Sequence, residues 1–221
     1  MHAALTIAIM GGTGELGSGL ALRWSRAGHA VVVGSRDAER AREAAQRIGH
    51  GCRGEANLGA AEAADIIVLA VPFAAHEETL TQIRPAVRGK IVVDAVVPLV
   101  PPKVGTAQLP AEGSAAQIAA RLLEGEARVV SAFHNVAAAK LHADERVDCD
   151  VLVCGDDKDA RAQVIDLVGQ IGLRGIDAGP LGNSAAAEAL TSVLITINRR
   201  YKVRAAGIRI TGIPDAEAPS T

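Results

Sequence analysis

Aromatic residues are nearly missing from this chain. They make up 2% of its 221 residues, as Trp24, Phe73, Phe133 and Tyr201, so ring stacking is a scarce resource. Cysteine is scarce as well. Cys52, Cys149 and Cys154 show neither C-x-x-C nor Cys/His spacing, so no metal site is expected. Their odd number suits reduced thiols in a cytosol. Neither sign of charge dominates. With 23 Lys and Arg against 25 Asp and Glu the net charge is −2, which gives no electrostatic case for nucleic acid or an anionic membrane surface as partner. No apolar run reaches the length of a membrane span, and no repeats or low-complexity linkers occur. The residues before the first apolar run lack the basic region and cleavage site of a signal peptide, so a cytoplasmic location is expected. What the chain does have is 49% hydrophobic residues, enough core for one large domain or a domain with an appendage.

The most informative stretch is Ile7-Ala8-Ile9-Met10-Gly11-Gly12-Thr13-Gly14-Glu15-Leu16-Gly17. An apolar run stops at a glycine cluster and a helical pattern follows. Gly12, Gly14 and Gly17 fit G-x-G-x-x-G. In that motif the first glycine allows the tight turn, the second lets the backbone approach a pyrophosphate, and the third lets helix and strand pack closely. Free N–H groups at the helix start then face the anion, helped by the helix dipole. A bare match is equally a glycine-rich turn without a ligand. Here a strand pattern precedes it and a helix pattern follows.

A second signal ends the next strand, at Val33-Gly34-Ser35-Arg36. Dinucleotide-binding units carry an acidic residue at about this point to hold the ribose 2′-hydroxyl. This chain has Ser35 and Arg36 there, with Arg40 one helical turn later. A hydroxyl and guanidinium groups would bind a 2′-phosphate through charge-assisted hydrogen bonds, where an acid would repel it. The site therefore reads as selective for NADP over NAD. The alternative is that both arginines are solvated charges at a helix start.

Apolar runs predict strands at 5–10, 30–34, 65–72, 90–94, from 129, at 151–155 and at 172–177, while residues 50–57 read as irregular. Helical patterns fall at 15–28, 38–48, 58–64, 74–85, 114–124, from 156 to about 171, and at 185–201, with Asp37 and Ser114 as caps. The alternation predicts an α/β fold: a Rossmann-type doubly wound, mainly parallel sheet with a small C-terminal helical part. Residues 1–180 would form the nucleotide-binding domain. Residues 181–213 would complete the acceptor site and a homodimer interface, because a largely apolar late helix must be buried in the core or against a second subunit. Residues 214–221 would be a disordered tail. Ligands of such sheets lie outside the carboxyl ends of the strands. That places Val71, Pro72 and Phe73, the segment Ala95 to Pro102, and Ser131 to Asn135 along one edge.

Several further motifs occur in the same order as in a known family. They are Lys90-Ile91-Val92-Val93, Ser114-Ala115-Ala116, Val129-Val130-Ser131-Ala132-x-His134, Val153-Cys154-Gly155-Asp156-Asp157 and Asp177-Ala178-Gly179-Pro180-Leu181-x-Asn183-Ser184. With the glycine loop and Val33 to Arg36, the chain resembles the coenzyme F420-dependent NADP oxidoreductases over residues 5–210. The resemblance implies that Gly12, Thr13, Gly14, Glu15 and Leu16 line the pyrophosphate and that Ser35, Arg36 and Arg40 hold the 2′-phosphate. It implies that Val71, Ala75, Val97, Ala138 and Gly207 contact the rest of NADP. On the acceptor side it implies His134, Asn135 and Val136 beside the deazaflavin ring, with Pro98 and Asn183 nearby. Phe73 stands where a tryptophan can occur and Ala75 where a histidine can, and both departures touch the acceptor side.

The implied activity is reversible hydride transfer between NADP(H) and coenzyme F420 as co-substrate, with the cofactors carrying the chemistry. No nucleophile, metal or acid–base pair is then required. His134 is the candidate for ring positioning, against the plainer reading of a structural histidine at a strand end. One rival is an NADPH-dependent reductase of another flavin- or pterin-like small-molecule acceptor, since function resides in the site and not the fold. Another is a non-catalytic NADP sensor.

Overall fold

The computed structural model describes residues 3–143 and 147–213; the tail expected to be disordered lies outside them. Eight strands form the sheet: β1 (Thr6–Met10), β2 (Ala30–Ser35), β3 (Arg53–Ala56), β4 (Ile66–Leu69), β5 (Ile91–Asp94), β6 (Arg128–Ser131), β7 (Asp150–Gly155) and β8 (Arg174–Asp177). Their spatial order is β3-β2-β1-β4-β5-β6-β7-β8. All neighbours run parallel except β6 and β7. The helices are α1 (Glu15–Arg26), α2 (Ala38–Ile48), α3 (Asn57–Glu62), α4 (His76–Ile83), α5 (Ala115–Leu123), α6 (Ala138–Leu141), α7 (Lys158–Gln170) and α8 (Ser184–Tyr201).

The alternation of side chains along β1 explains the layering. Ile7 and Ile9 face a core shared with Leu20, Trp24, Val31 and Val164. Ala8 and Met10 face a second core shared with Ile67, Leu80, Ile83 and Ala116. A strand covered on both faces reads as one continuous apolar run, which is why β1, β4 and β5 stand out in the sequence. Trp24 belongs to the first core. It meets Phe133 edge-on at 5.7 Å and 86°, and its indole donates to the Leu167 carbonyl at 3.1 Å.

Three acid or hydroxyl caps fix helix starts. Asp37 accepts from the amides of Glu39 and Arg40, Ser114 from Gln117, and Asp157 from Ala160. The segment 50–57, read as irregular, contains β3. Its Arg-Gly-Glu-Ala sequence has no β-branched residue, and it is a strand because β2 offers it an edge, with Val33 opposite Gly54. A Cβ on Gly54 would lie 2.2 Å from the Ala41 backbone, so only glycine lets α2 sit this close to β3. The helix expected at 74–85 is α4 with a short 3-10 turn at each end, Phe73–Ala75 before it and Arg84–Ala86 after.

β7 matters most for the acceptor side. Its antiparallel register sets Ser131 opposite Cys154 and Val130 opposite Gly155. Its first residues therefore continue beyond the carboxyl end of β6, on the edge where the ligand loops gather. α8 packs on α5 and β7, burying Ala187, Glu188, Ser192 and Leu194 while leaving Val193 and Tyr201 exposed. The chain then returns along β7, where the Asp150 amide donates to the Ile208 carbonyl at 2.8 Å.

Candidate active site

The glycine loop lies at the carboxyl end of β1, which is flanked by β2 and β4, the point where the strand order reverses. The tight turn belongs to Gly11, not to Gly12 as the motif suggested. Gly11 has φ +81°, and a Cβ there would strike the Ala70 carbonyl oxygen at 2.5 Å. Gly12 serves close approach instead, because its Cβ would lie 2.9 Å from Val33. Gly17 has the role expected of it: a Cβ would meet the Gly11 oxygen at 2.5 Å. Gly14 is open, with only that oxygen at 3.4 Å.

α1 differs from its capped neighbours. Its N-cap is Gly14, which offers no side-chain hydrogen bond. The first-turn amides therefore lack the acceptor that Asp37, Ser114 and Asp157 supply elsewhere. An anion at that end would satisfy them.

A cleft of about 330 Å³ begins at this loop, and Gly11, Thr13, Ser35, Arg36, Arg40, Val71 and Ala75 line it. The structure thus gathers most of the cofactor-side residues into one place. Arg36 and Arg40 are exposed; Arg36 lies 3.7 Å from Glu78 and Arg40 3.7 Å from Asp37, exposed pairs that an incoming phosphate could replace at little cost. Asn57 and Thr79 also line this cleft, and the sequence gave no sign of either. Asn57 is buried; its amide nitrogen donates to Gln82 at 2.9 Å, while Oδ1 has no partner among the described residues.

A second cleft of about 180 Å³ lies between the loop after β6 and α8, and His134, Asn135, Val136 and Ala138 line it. Thr191, Leu194 and Asn198 of α8 form its other side. The Thr191 hydroxyl donates to the His134 carbonyl at 2.7 Å, and the Asn135 amide nitrogen donates to the Asp150 carbonyl at 2.6 Å. His134 is buried, and neither ring nitrogen has a hydrogen-bond partner among the described residues. Burial pushes its pKa down to about 4, with Asp94 opposing, so the imidazole is neutral at ordinary pH.

The remaining expected residues are placed less directly. Pro98 is buried. Asn183 is exposed, and its amide donates to the Ala178 carbonyl at 2.7 Å. Gly207 packs on Cys149, whose sulfur would lie 2.9 Å from an added Cβ. None of the three lines either cleft.

A family model described as NADP oxidoreductase, coenzyme F420-dependent, matches residues 6–98. The chain is 44% identical to the F420-dependent NADP reductase of Methanothermobacter thermautotrophicus, across 96% of this chain and 97% of that one. It is 41% identical to that of Methanocaldococcus jannaschii, across 95% and 99%. The chain belongs to this family of NADP-linked oxidoreductases. A solved structure from Arthrobacter sp. FB24, given as a candidate F420-dependent NADP reductase, matches with a TM-score of 0.82 at 25% identity, covering 94% of this chain and all of that one.

Two buried acids of this family member escaped the sequence reading. Asp94, at the end of β5, is fully buried; it takes His76 Nε2 at 2.7 Å on one oxygen and the Val96 amide at 2.9 Å on the other. It thereby ties the start of α4 to the segment leading to Val97 and Pro98. Glu188 of α8 is fully buried and accepts the amides of Ala115 at 2.7 Å and Ala116 at 3.1 Å, joining α8 to the start of α5. Beside it the hydroxyls of Ser114 and Ser184 lie 2.6 Å apart. A carboxylate inside an apolar helix gives no periodic signal, which is why such residues are missed. Among the described residues no group of three or more His, Cys, Asp or Glu is placed to hold a metal, and no helix is long and apolar enough to cross a membrane.

Proposed function

We propose that the chain transfers a hydride reversibly between NADP(H) and the deazaflavin coenzyme F420, as a cytoplasmic homodimer. The observation that carries the NADP half is the uncapped start of α1 opening into the same cleft as Ser35, Arg36 and Arg40. The first-turn amides supply donors for a pyrophosphate, and the two guanidinium groups and the hydroxyl supply a polar, cationic seat for a 2′-phosphate. The F420 half is supported by the printed names of relatives over 40% identical along nearly the whole chain.

The two cofactors supply the redox chemistry when bound, the nicotinamide as hydride donor and the deazaflavin as acceptor, or the reverse. What the chain contributes is placement. Two flat rings must be held with the reacting carbons roughly 3–3.5 Å apart, and such orientation accounts for a large part of the rate enhancement. The backbone of the 134–138 loop is held from two sides by Thr191 and Asp150. A neutral His134 in that wall presents an imidazole to a ring system without bringing a charge. With so few aromatic residues, small side chains such as Ala137 and Ala138 leave room for flat ligands to stack on each other.

Stopped-flow absorbance with NADPH and purified F420 tests this reading. Loss of the oxidised deazaflavin band, saturable in both substrates and much slower with NADH, is the expected result. Tight NADPH binding with no reduction of F420 would contradict it and direct the search to flavins and pterins as acceptors.

A further inference from the structure

The C-terminal strap, residues 203–213, carries no regular secondary structure, yet it forms part of the second cleft, where Arg204 and Ala206 face His134 and Asn135. A strap of this kind keeps its place only through individual tethers. Near its start, the Ala206 amide donates to Asn198 Oδ1 at 2.9 Å. Beyond that point most of the hydrogen bonds pass through one residue, Asp150.

Asp150 uses every polar group it has. Its amide donates to the Ile208 carbonyl at 2.8 Å. Its carboxylate accepts the Ile210 amide at 2.6 Å and takes Arg174 bidentately, Nε at 2.7 Å and Nη2 at 2.6 Å. Its carbonyl accepts from the side chain of Asn135 at 2.6 Å. Arg174, directly opposite in the β7–β8 register, extends the grip by donating to the carbonyls of Ile210 at 2.9 Å and Ile213 at 3.2 Å. Arg209 approaches the same carboxylate at 4.0 Å. Gly207 runs flush against Cys149, where a Cβ would lie 2.9 Å from the sulfur, and that sulfur is 3.2 Å from the Asn135 amide nitrogen. The strap, the first residues of β7 and the 134–138 loop are therefore one hydrogen-bonded stack.

We propose that Asp150 is a positioning residue for the second substrate: it locks the strap and the Asn135 loop in register and so sets the width of the acceptor cleft. The proposal rests on the acceptor reading of that cleft. Asp150 touches neither cleft directly and acts through Asn135 on one side and the strap on the other. A fully buried carboxylate is an expensive way to hold a surface segment if holding were its whole task, because apolar contacts would do the same without desolvating a charge. What the carboxylate adds is direction, since a bidentate arginine fork and a backbone amide converge on it at fixed angles.

The test uses the full chain with Asp150→Asn and, as a milder change that keeps the positive charge but loses the fork, Arg174→Lys. Three readouts are combined: hydrogen exchange of peptides covering 203–213 with no cofactor present, NADPH affinity by titration, and KM and kcat for F420. For Asp150→Asn, strap exchange is expected to rise at least tenfold. NADPH Kd should stay within twofold, and KM for F420 should rise about tenfold with a smaller change in kcat. Arg174→Lys should show the same pattern at about threefold and serves alone if the first variant fails to fold. Unchanged strap exchange overturns the proposal, as does an equal loss of NADPH and F420 affinity. If the wild-type chain does not reduce F420, the functional reading fails, whereas the exchange result still decides whether Asp150 holds the strap.

Discussion

Replacing Glu188 by glutamine should change the pH dependence of stability in a way no exposed carboxylate could. The side chain is fully buried between α8 and the start of α5. Burial pushes its pKa from the ordinary 4.5 up to about 8; the amides of Ala115 and Ala116 oppose this, and nearby Asp94 reinforces it. Between those two values the folded chain holds a proton that the unfolded chain has released. Stability from this group is thus complete below pH 4.5 and is lost as pH rises toward 8, at about 1.4 kcal/mol per pH unit. Over the full interval of about 3.5 pH units the loss is on the order of 5 kcal/mol. Glutamine does not titrate, so comparing the two proteins cancels every other group. Urea unfolding of both at pH 5, 6, 7, 8 and 9 should show the advantage of Glu188→Gln growing by about 1.4 kcal/mol per unit up to pH 8 and levelling above it. A constant difference would refute the reasoning. A glutamine variant that loses ground as pH rises would show that the two amides outweigh burial and hold the carboxylate ionised.

Arg36→Glu should weaken NADP binding at least tenfold while leaving NAD binding within about threefold, measured by titration, because a carboxylate there repels a 2′-phosphate; equal loss of both dinucleotides would remove Arg36 from that role. Gly54→Ala should destabilise the chain by about 3 kcal/mol in urea unfolding, since its Cβ would fall 2.2 Å from the Ala41 backbone and neither β3 nor α2 can yield by side-chain motion alone; a change below about 1 kcal/mol would mean that α2 shifts freely. His134→Ala should impair F420 binding or turnover while NADPH affinity stays nearly intact, and a matching loss of NADPH affinity would make His134 a structural residue only.

The sequence made legible what the parallel sheet imposes on it. β1, β4 and β5 are apolar on both faces, and the glycine loop interrupts the pattern where backbones must touch. Ser35, Arg36 and Arg40 could be read because a strand end fixes their place in the cleft. β3 was hidden because its residues have little strand preference and the partner strand alone selects it. Gly11 was passed over because the motif assigns the turn to the first of its own glycines, whereas φ +81° falls one residue earlier. Asn57, Asp94, Asp150 and Glu188 were invisible for a shared reason. Each is a polar residue whose partners are backbone groups or side chains distant in sequence, and no spacing rule encodes such a meeting. The acceptor side was the hardest to read, because the antiparallel turn of β7 and the returning strap bring together residues around 135, 150, 198 and 208.

The central claim is that a hydride passes directly from NADPH to F420 on this chain. It is tested most directly with NADPH carrying deuterium at one face of nicotinamide C4, each face in turn, with reduced F420 then examined by mass spectrometry and NMR. The account predicts that deuterium from one of the two faces appears at C5 of the deazaflavin, and that reaction of unlabelled NADPH in deuterated water places none there. Solvent deuterium at C5, or no reduced F420 from either labelled donor, would contradict it.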